Sequence, residues 1–251
     1  MLLELKKAVC QANLDLVREG LVIQTWGNVS GVDREQGLIV IKPSGVPYSE
    51  MKPKHMVVVS LATGRALEGQ LKPSSDTDTH LELYRAFPSI GWVVHTHSLN
   101  ATAWAQTCLD VPALGTTHAD YCYGAVPVTE IMRPSAIRKD YEANTGRMIA
   151  RKIRRLRLQP GYRFQSMACP FIFVANHAPF AWGATPSAAV DNAIVLEAIS
   201  KMALLTFLLD SPRRSLGDRR TGISQALLDK HYLRKHGQTA YYGQAKLNPS
   251  R

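Results

Sequence analysis

The chain has 251 residues, 45% of them hydrophobic and 20% charged, with a formal net charge of +10, which suits one large soluble globular domain with a substantial core. No stretch is apolar over a transmembrane length, and residues 1–5 lack the basic start and long apolar core of a signal peptide, so the expectation is a cytoplasmic protein with no membrane partner. The positive excess crowds into 147–157 and 213–220, which lack interleaved aromatics and zinc-finger spacing; both read as solvated basic faces, and nucleic acid is not expected as a partner.

In chain order, Leu5, Ala8, Val9, Ala12 and Leu16 share one face at helical spacing, and Gly20 is placed to end that helix. Residues 25–30 (TWGNVS) read as a small-residue turn. Leu38-Ile39-Val40-Ile41 is a buried strand that runs into Lys42-Pro43-Ser44-Gly45. Alone, these last residues read as a turn, although a strand exit with a Ser-Gly step beside a lysine also has the parts of an anion site. Residues 56–61 form another strand, turned back at 62–64 towards 66–69 as a hairpin. Lys72-Pro73-Ser74-Ser75-Asp76 then leads into a helix through Leu81, Leu83 and Tyr84, with a serine as N-cap. A helix start favours anions, which makes Ser74 and Ser75 phosphate candidates, with Asp76 turned elsewhere or serving as an ordinary first-turn acid.

Val93-Val94-His95-Thr96-His97 follows, and in a strand alternate side chains share a face, so two imidazoles point the same way. Such a pair binds a metal when both rings are neutral, as an unperturbed histidine mostly is near pH 7. A helix over 99–108 precedes the polar, titratable stretch 116–121, and Pro134-Ser135 opens one long helix carrying Ile137, Tyr141, Met148 and Ile153 close to one stripe. Phe171-Ile172-Phe173-Val174 is a strand that delivers a third histidine, His177, beyond its end. Thr185-Pro186 starts a helix, Pro212 lies past its end, and a last helix spans 225–236. Cys10, Cys108, Cys122 and Cys169 are scattered with no CxxC pair and read as reduced thiols. There is no GxGxxG and no GxxxxGK[ST], so nothing points to a dinucleotide or a nucleoside triphosphate. The pattern predicts a single α/β domain over 1–244, with a central mixed, mainly antiparallel sheet flanked by helices, and a disordered tail over 245–251.

Nine motifs, in this order along the chain, resemble those of the class II aldolase/epimerase superfamily: TWGNVS (25–30), IKPSGV (41–46), KPSSDT (72–77), FPSI (87–90), VHTHS (94–98), GTTHADY (115–121), NHAPFAWG (176–183), DKHYLRKHG (229–237) and AYYGQ (240–244). The resemblance implies that His95, His97 and His177 bind a divalent metal with Asp76 as fourth ligand, one zinc ion per subunit, with manganese or cobalt as alternatives. It implies that Asn28, Lys42, Ser44, Gly45, Ser74 and Ser75 hold a substrate phosphate, and that Asp120, Tyr242 and His231 are acid/base groups. The family's last two reach the site from a neighbouring subunit, which implies a homotetramer with active sites at subunit interfaces. Aldolases of the superfamily carry a glutamate where this chain has Asp76, whereas the epimerases carry an aspartate. The implied reaction is therefore metal-dependent inversion at C4 of a pentulose phosphate, L-ribulose 5-phosphate, to D-xylulose 5-phosphate. The alternatives are a class II aldolase acting on a related sugar phosphate and a catalytically inactive basic binding protein of the same fold. Ala178 stands where the family commonly has glycine, while 147–164 and 211–224 look longer and more basic than usual.

Overall fold

All four side chains of Leu38-Ile39-Val40-Ile41 are buried, because helices cover both faces of the sheet to which they belong. The computed structural model describes residues 2–157, 169–210, 222–236 and 240. Seven strands, β1 (Asn28–Asp33), β2 (Leu38–Ile41), β3 (Val57–Ser60), β4 (Ala66–Glu68), β5 (Trp92–His95), β6 (Phe171–Phe173) and β7 (Pro179–Gly183), lie in the order β4-β3-β2-β1-β5-β7-β6. Every ladder among the described residues is antiparallel, in line with the expectation of a mainly antiparallel sheet. The parallel element it also allowed is reduced, among the described residues, to an isolated bridge between Val128 and Phe173.

Alternation assigns the faces. Val29, Val40, Val58, Val94 and Phe171 turn towards α1 (Leu3–Arg18), α3 (Leu99–Thr107) and α7 (Pro186–Asp210). Ile39, Ile41, Val57, Val93 and Ile172 turn towards α2 (Thr77–Ala86) and α6 (Tyr141–Arg157). Short helices α4 (Thr116–Ala119) and α5 (Pro134–Arg138) sit in the connections, and α8 (Gln225–His236) packs on α4.

Several expectations need correction. Residues 28–33 are a strand rather than a turn: Asn28 and Ser30 are buried polar residues that find polar partners, so β1 needs no apolar run to occupy the sheet centre. The Asn13 side chain of α1 binds both the N–H and the C=O of Val29 on the other face. β7 also carries no alternation in sequence, because all five of its residues are buried. The single helix expected after Pro134 is two, broken at Asp140, whose φ of 54° is left-handed. The N-cap of α2 is Asp76 and not a serine. Cys122 and Cys169, 47 residues apart, form a disulfide, while Cys10 and Cys108 are free; tertiary proximity, absent from the spacing, pairs them. By length and composition α7 could cross a membrane, which the sequence reading had excluded. Its buried face includes Ala189, Leu196 and Ile199, and the Glu197 carboxylate accepts the N–H groups of Asn100 and Ala101 at the start of α3. The domain limit at 244, the tail 245–251 and most of the second basic segment lie outside the described residues.

Candidate active site

The start of β1, the ends of β2, β5 and β6 and the start of β7 meet at one rim of the sheet, as antiparallel neighbours must. Asn28 pairs directly with His95 across β1 and β5, and His95 pairs with Phe180 across β5 and β7. This register brings the predicted residues together. A cavity of about 550 Å³ at the rim is lined by Asn28, Lys42, Ser44, Gly45, Ser74, Ser75, Asp76, His95, His97 and His177, the complete predicted phosphate and metal sets.

His95, His97 and His177 form a triangle with ring centroids 4.9, 5.0 and 5.1 Å apart. One ring nitrogen from each lies within 4.8 Å of the others. His97 sits just past the end of β5, so loop geometry as well as strand alternation aims its ring. His95 is the most constrained of the three: its Nδ1–H donates to the Pro179 carbonyl at 2.9 Å, and the Phe180 ring stacks on it at 4.2 Å. That bond leaves the Nε2 lone pair facing His97 Nε2 at 3.2 Å and Asp76 Oδ2 at 4.0 Å. Burial lowers the pKa of His95 and of His97, and that of His177 to about 4, so all three rings are neutral at pH 7. Burial pushes the Asp76 carboxyl upwards, but His95, His80, the Asn28 amide and His177 outweigh it and hold the group below its ordinary value. Three neutral imidazoles whose lone pairs converge, beside an ionised carboxylate, fit a divalent cation of the zinc type.

The cradle beside this triangle is built from two loops laced together. Ser44 N–H donates to Lys72 O and Ser74 N–H donates to Lys42 O, across the bridge between Pro43 and Pro73. Those two amides are therefore spent, and the hydroxyls, Lys42 and the other loop amides are what an anion can meet. Lys42 is 2% exposed, donates to Thr25 O at 2.9 Å and lies 4.8 Å from the centre of the Tyr48 ring. Burial lowers its pKa to about 8, against the pull of Asp76. Gly27, at φ 82°, is required here: a Cβ would come within 3.0 Å of the His95 carbonyl oxygen. The Asn28 amide donates to Asp76 Oδ2 at 2.7 Å, and its Oδ1 is buried without a partner among the described residues.

Asp120, at the C-terminal end of α4, is met by α8: His231 Nδ1 at 3.1 Å, Arg234 through both carboxylate oxygens and Lys235 Nζ at 3.3 Å. Burial pushes its pKa up, yet Arg234, His231 and Lys235 bring it below the ordinary carboxylate value. Neither Asp120 nor His231 lines the cavity with the histidines, and Tyr242 lies outside the described residues. Five lining residues have no role assigned from sequence: Thr25, Trp26, Gly27, Tyr141 and Glu142. Tyr141, counted there among the stripe residues, has its hydroxyl 3.4 Å from His177 Nδ1; Glu142 follows it, and Trp26, half exposed, stands 6.0 Å from the His97 ring.

Burial of neutral histidines away from the triangle sets an acid limit on stability. The pKa of His80 is lowered to about 3 and that of His118 to about 4, both chiefly by desolvation. Between an unfolded value near 6.5 and these folded values the unfolded chain binds the extra protons, so stability is complete above that window and falls as pH drops through it. Each such histidine contributes a slope of about 1.4 kcal/mol per pH unit. The urea midpoint of the metal-free protein is therefore expected to fall between pH 7 and pH 5, and an unchanged midpoint would contradict the assignment.

An antiparallel sheet sandwiched by helices, with a triangle of histidines that could hold a metal ion in a cavity at one rim, defines an α/β protein with a single candidate site on that rim among the described residues. Residues 7–204 match the family described as Class II Aldolase and Adducin N-terminal domain, and the chain belongs to that family. Among solved structures it is similar to an L-fuculose 1-phosphate aldolase, at 23% identity and a TM-score of 0.70, covering 91% of this chain and 94% of that one. It is also similar to YgbL of Escherichia coli, described as a putative aldolase/epimerase/decarboxylase, at 24% identity and a TM-score of 0.62, covering 91% and 97%. An L-fuculose 1-phosphate aldolase from Glaciozyma antarctica PI12 aligns at 17% identity and a TM-score of 0.67, covering 92% and 80%.

Proposed function

We propose that the protein is a metal-dependent epimerase that interconverts L-ribulose 5-phosphate and D-xylulose 5-phosphate. The observation that carries this reading is Asp76, a short carboxylate 4.0 Å from His95 Nε2 and hydrogen-bonded to Asn28, within reach of the ion the triangle would hold. We assign that ion as zinc, with manganese or cobalt able to take the same donors, and the reaction to the cytoplasm. When bound, the ion supplies Lewis-acid stabilisation of the negative charge that carbon–carbon cleavage leaves on oxygen.

C4 of a 2-ketose is not adjacent to the carbonyl, so its hydrogen is not removed by simple enolisation. Inversion there follows from breaking and remaking the C3–C4 bond with the aldehyde fragment turned over. The phosphate must be held meanwhile, and Lys42 with Ser44, Ser74 and Ser75 provides the hold, Gly45 leaving its loop open to the anion. A base takes the C4 hydroxyl proton on one side and an acid returns one on the other. We assign these roles to Asp120 and Tyr242, with His231 beside Asp120, all presented to this cavity by another copy of the chain.

The outer half of α7 supports self-association: Met202, Leu205, Leu208 and Leu209 are exposed, and Leu205 and Leu209 edge an apolar cleft of about 320 Å³. Leu205→Glu with Leu209→Glu is expected to shift sedimentation from an oligomer, a tetramer in this reading, to the monomer. Unchanged sedimentation would place the interface elsewhere.

Removing the cradle's cation is expected to act on binding. Lys42→Met should raise the KM for the pentulose phosphate about tenfold to a hundredfold and relieve inhibition by inorganic phosphate. In the unaltered protein KM should rise above pH 8, as the ammonium is lost. Steady-state kinetics across pH checks this, and an unchanged KM would remove Lys42 from the phosphate site.

The deciding experiment gives zinc- or manganese-loaded protein L-ribulose 5-phosphate and follows D-xylulose 5-phosphate, with a chelated control. Metal-dependent product without free glycolaldehyde phosphate supports the epimerase. Accumulation of that aldehyde favours the aldolase alternative, and no product from a folded, loaded oligomer rejects the substrate.

A further inference from the structure

On the flank of α6, sharing no lining residue with the histidine cavity, a cleft of about 470 Å³ opens between the helix and residues 130–136. Its charged lining is Arg133, Arg147, Arg151 and Arg155 against one carboxylate, Glu130. Three of these arginines recur at four-residue spacing, so one helical stripe presents guanidiniums at steps of roughly 6 Å. Glu130 is shared between Arg151, at 3.3 Å, and Arg155, while Arg147 reaches Glu82 at 3.4 Å and the Asn144 side chain at 3.1 Å. Arg133 has no ion-pair partner among the described residues. A second cleft on the other side of Arg147 and Arg151 adds Arg85 and Arg154 and only Glu82. Positive charge therefore exceeds its local neutralisation on both flanks of the ridge. Buried Met148 and half-buried Met132 and Ala136 give the larger cleft an apolar floor, and Ile131, also in its lining, is exposed.

We propose that this cleft binds a small molecule carrying two or more phosphate groups. Guanidinium forks match phosphate oxygens two at a time, and more than one fork is available along the stripe. The cavity has the size of a metabolite site, and the apolar floor suits the organic body of such a ligand. No aromatic side chain among the described residues lines it, so those residues offer nothing for bases to stack on, which separates them from a single-stranded nucleic-acid surface. Glu130 is the internal competitor: it occupies Arg151 and Arg155 until a stronger anion displaces it.

Inorganic tripolyphosphate is the probe, titrated calorimetrically into the metal-loaded full-length protein. One saturable site per chain is expected in Lys42→Met, whose cradle has lost its cation, weakened about tenfold or more when Arg133→Gln with Arg151→Gln is added, and tightened when Glu130→Gln is added. The last variant removes only exposed ion pairs of small individual worth, so it keeps the test decisive if the double arginine variant folds poorly. The proposal is overturned by the absence of saturable binding, by binding that disappears in Lys42→Met and survives the arginine changes, or by a single-stranded oligonucleotide that displaces tripolyphosphate through the same arginines. Because the readout is binding at a cleft that shares no lining residue with the histidine pocket, its outcome is independent of the proposed epimerase activity.

Discussion

His95→Ala is expected to empty the metal site and lower turnover by about a thousandfold or more, the loss of several kcal/mol of charge stabilisation. The size of the effect follows from how completely this ring is preorganised. It is 1% exposed, its tautomer is set by the Pro179 carbonyl, and the stacked Phe180 ring fixes its plane. An orientation held from behind in this way costs nothing further when a ligand bond forms. Metal content after dialysis, measured with turnover, checks the expectation. One tightly held ion per chain together with undiminished activity would move the metal site away from this triangle.

Asp120→Asn is expected to lower turnover by roughly a hundredfold to ten-thousandfold with metal content unchanged, the range for loss of a general acid or base. The isolated chain adds a complication that a second substitution resolves. Asp120 anchors Arg234, Lys235 and His231 of α8, so the amide also leaves Arg234 and Lys235 without their shared counter-charge and loosens the helix by about 2 kcal/mol. Arg234→Gln preserves the carboxylate and removes its main counter-charge. It should raise the Asp120 pKa and move the acid limb of the pH–rate profile upwards, which a purely structural anchor would not do. Metal lost from Asp120→Asn, or full turnover retained, would exclude the catalytic role.

The candidate metal ligands and the candidate anion cradle were legible because their chemistry is local. His95 and His97 are two residues apart at a strand end, Lys42 follows an apolar run, and Ser74 and Ser75 precede a helix; these patterns survive in any fold that keeps the strands and helix. The strand β1 was not legible, since its polar residues are paid for by partners far along the chain, Asp76 for Asn28 and His80 for Ser30. Tyr141 was read as a stripe residue because nothing in its own helix says that His177 stands opposite.

By itself the sequence determined the helices and apolar strands, the α/β class and the residue types that gather at the rim, because periodicity and ligand chemistry act over a few residues. Only the tertiary structure decided that the ladders are all antiparallel, that Cys122 joins Cys169, that an arginine-lined cleft backs α6, and that Asp120 is held by α8 away from the histidines. Those outcomes depend on contacts between residues tens of positions apart. Such contacts are set by how layers pack and which polar groups find partners there, and no local pattern encodes that.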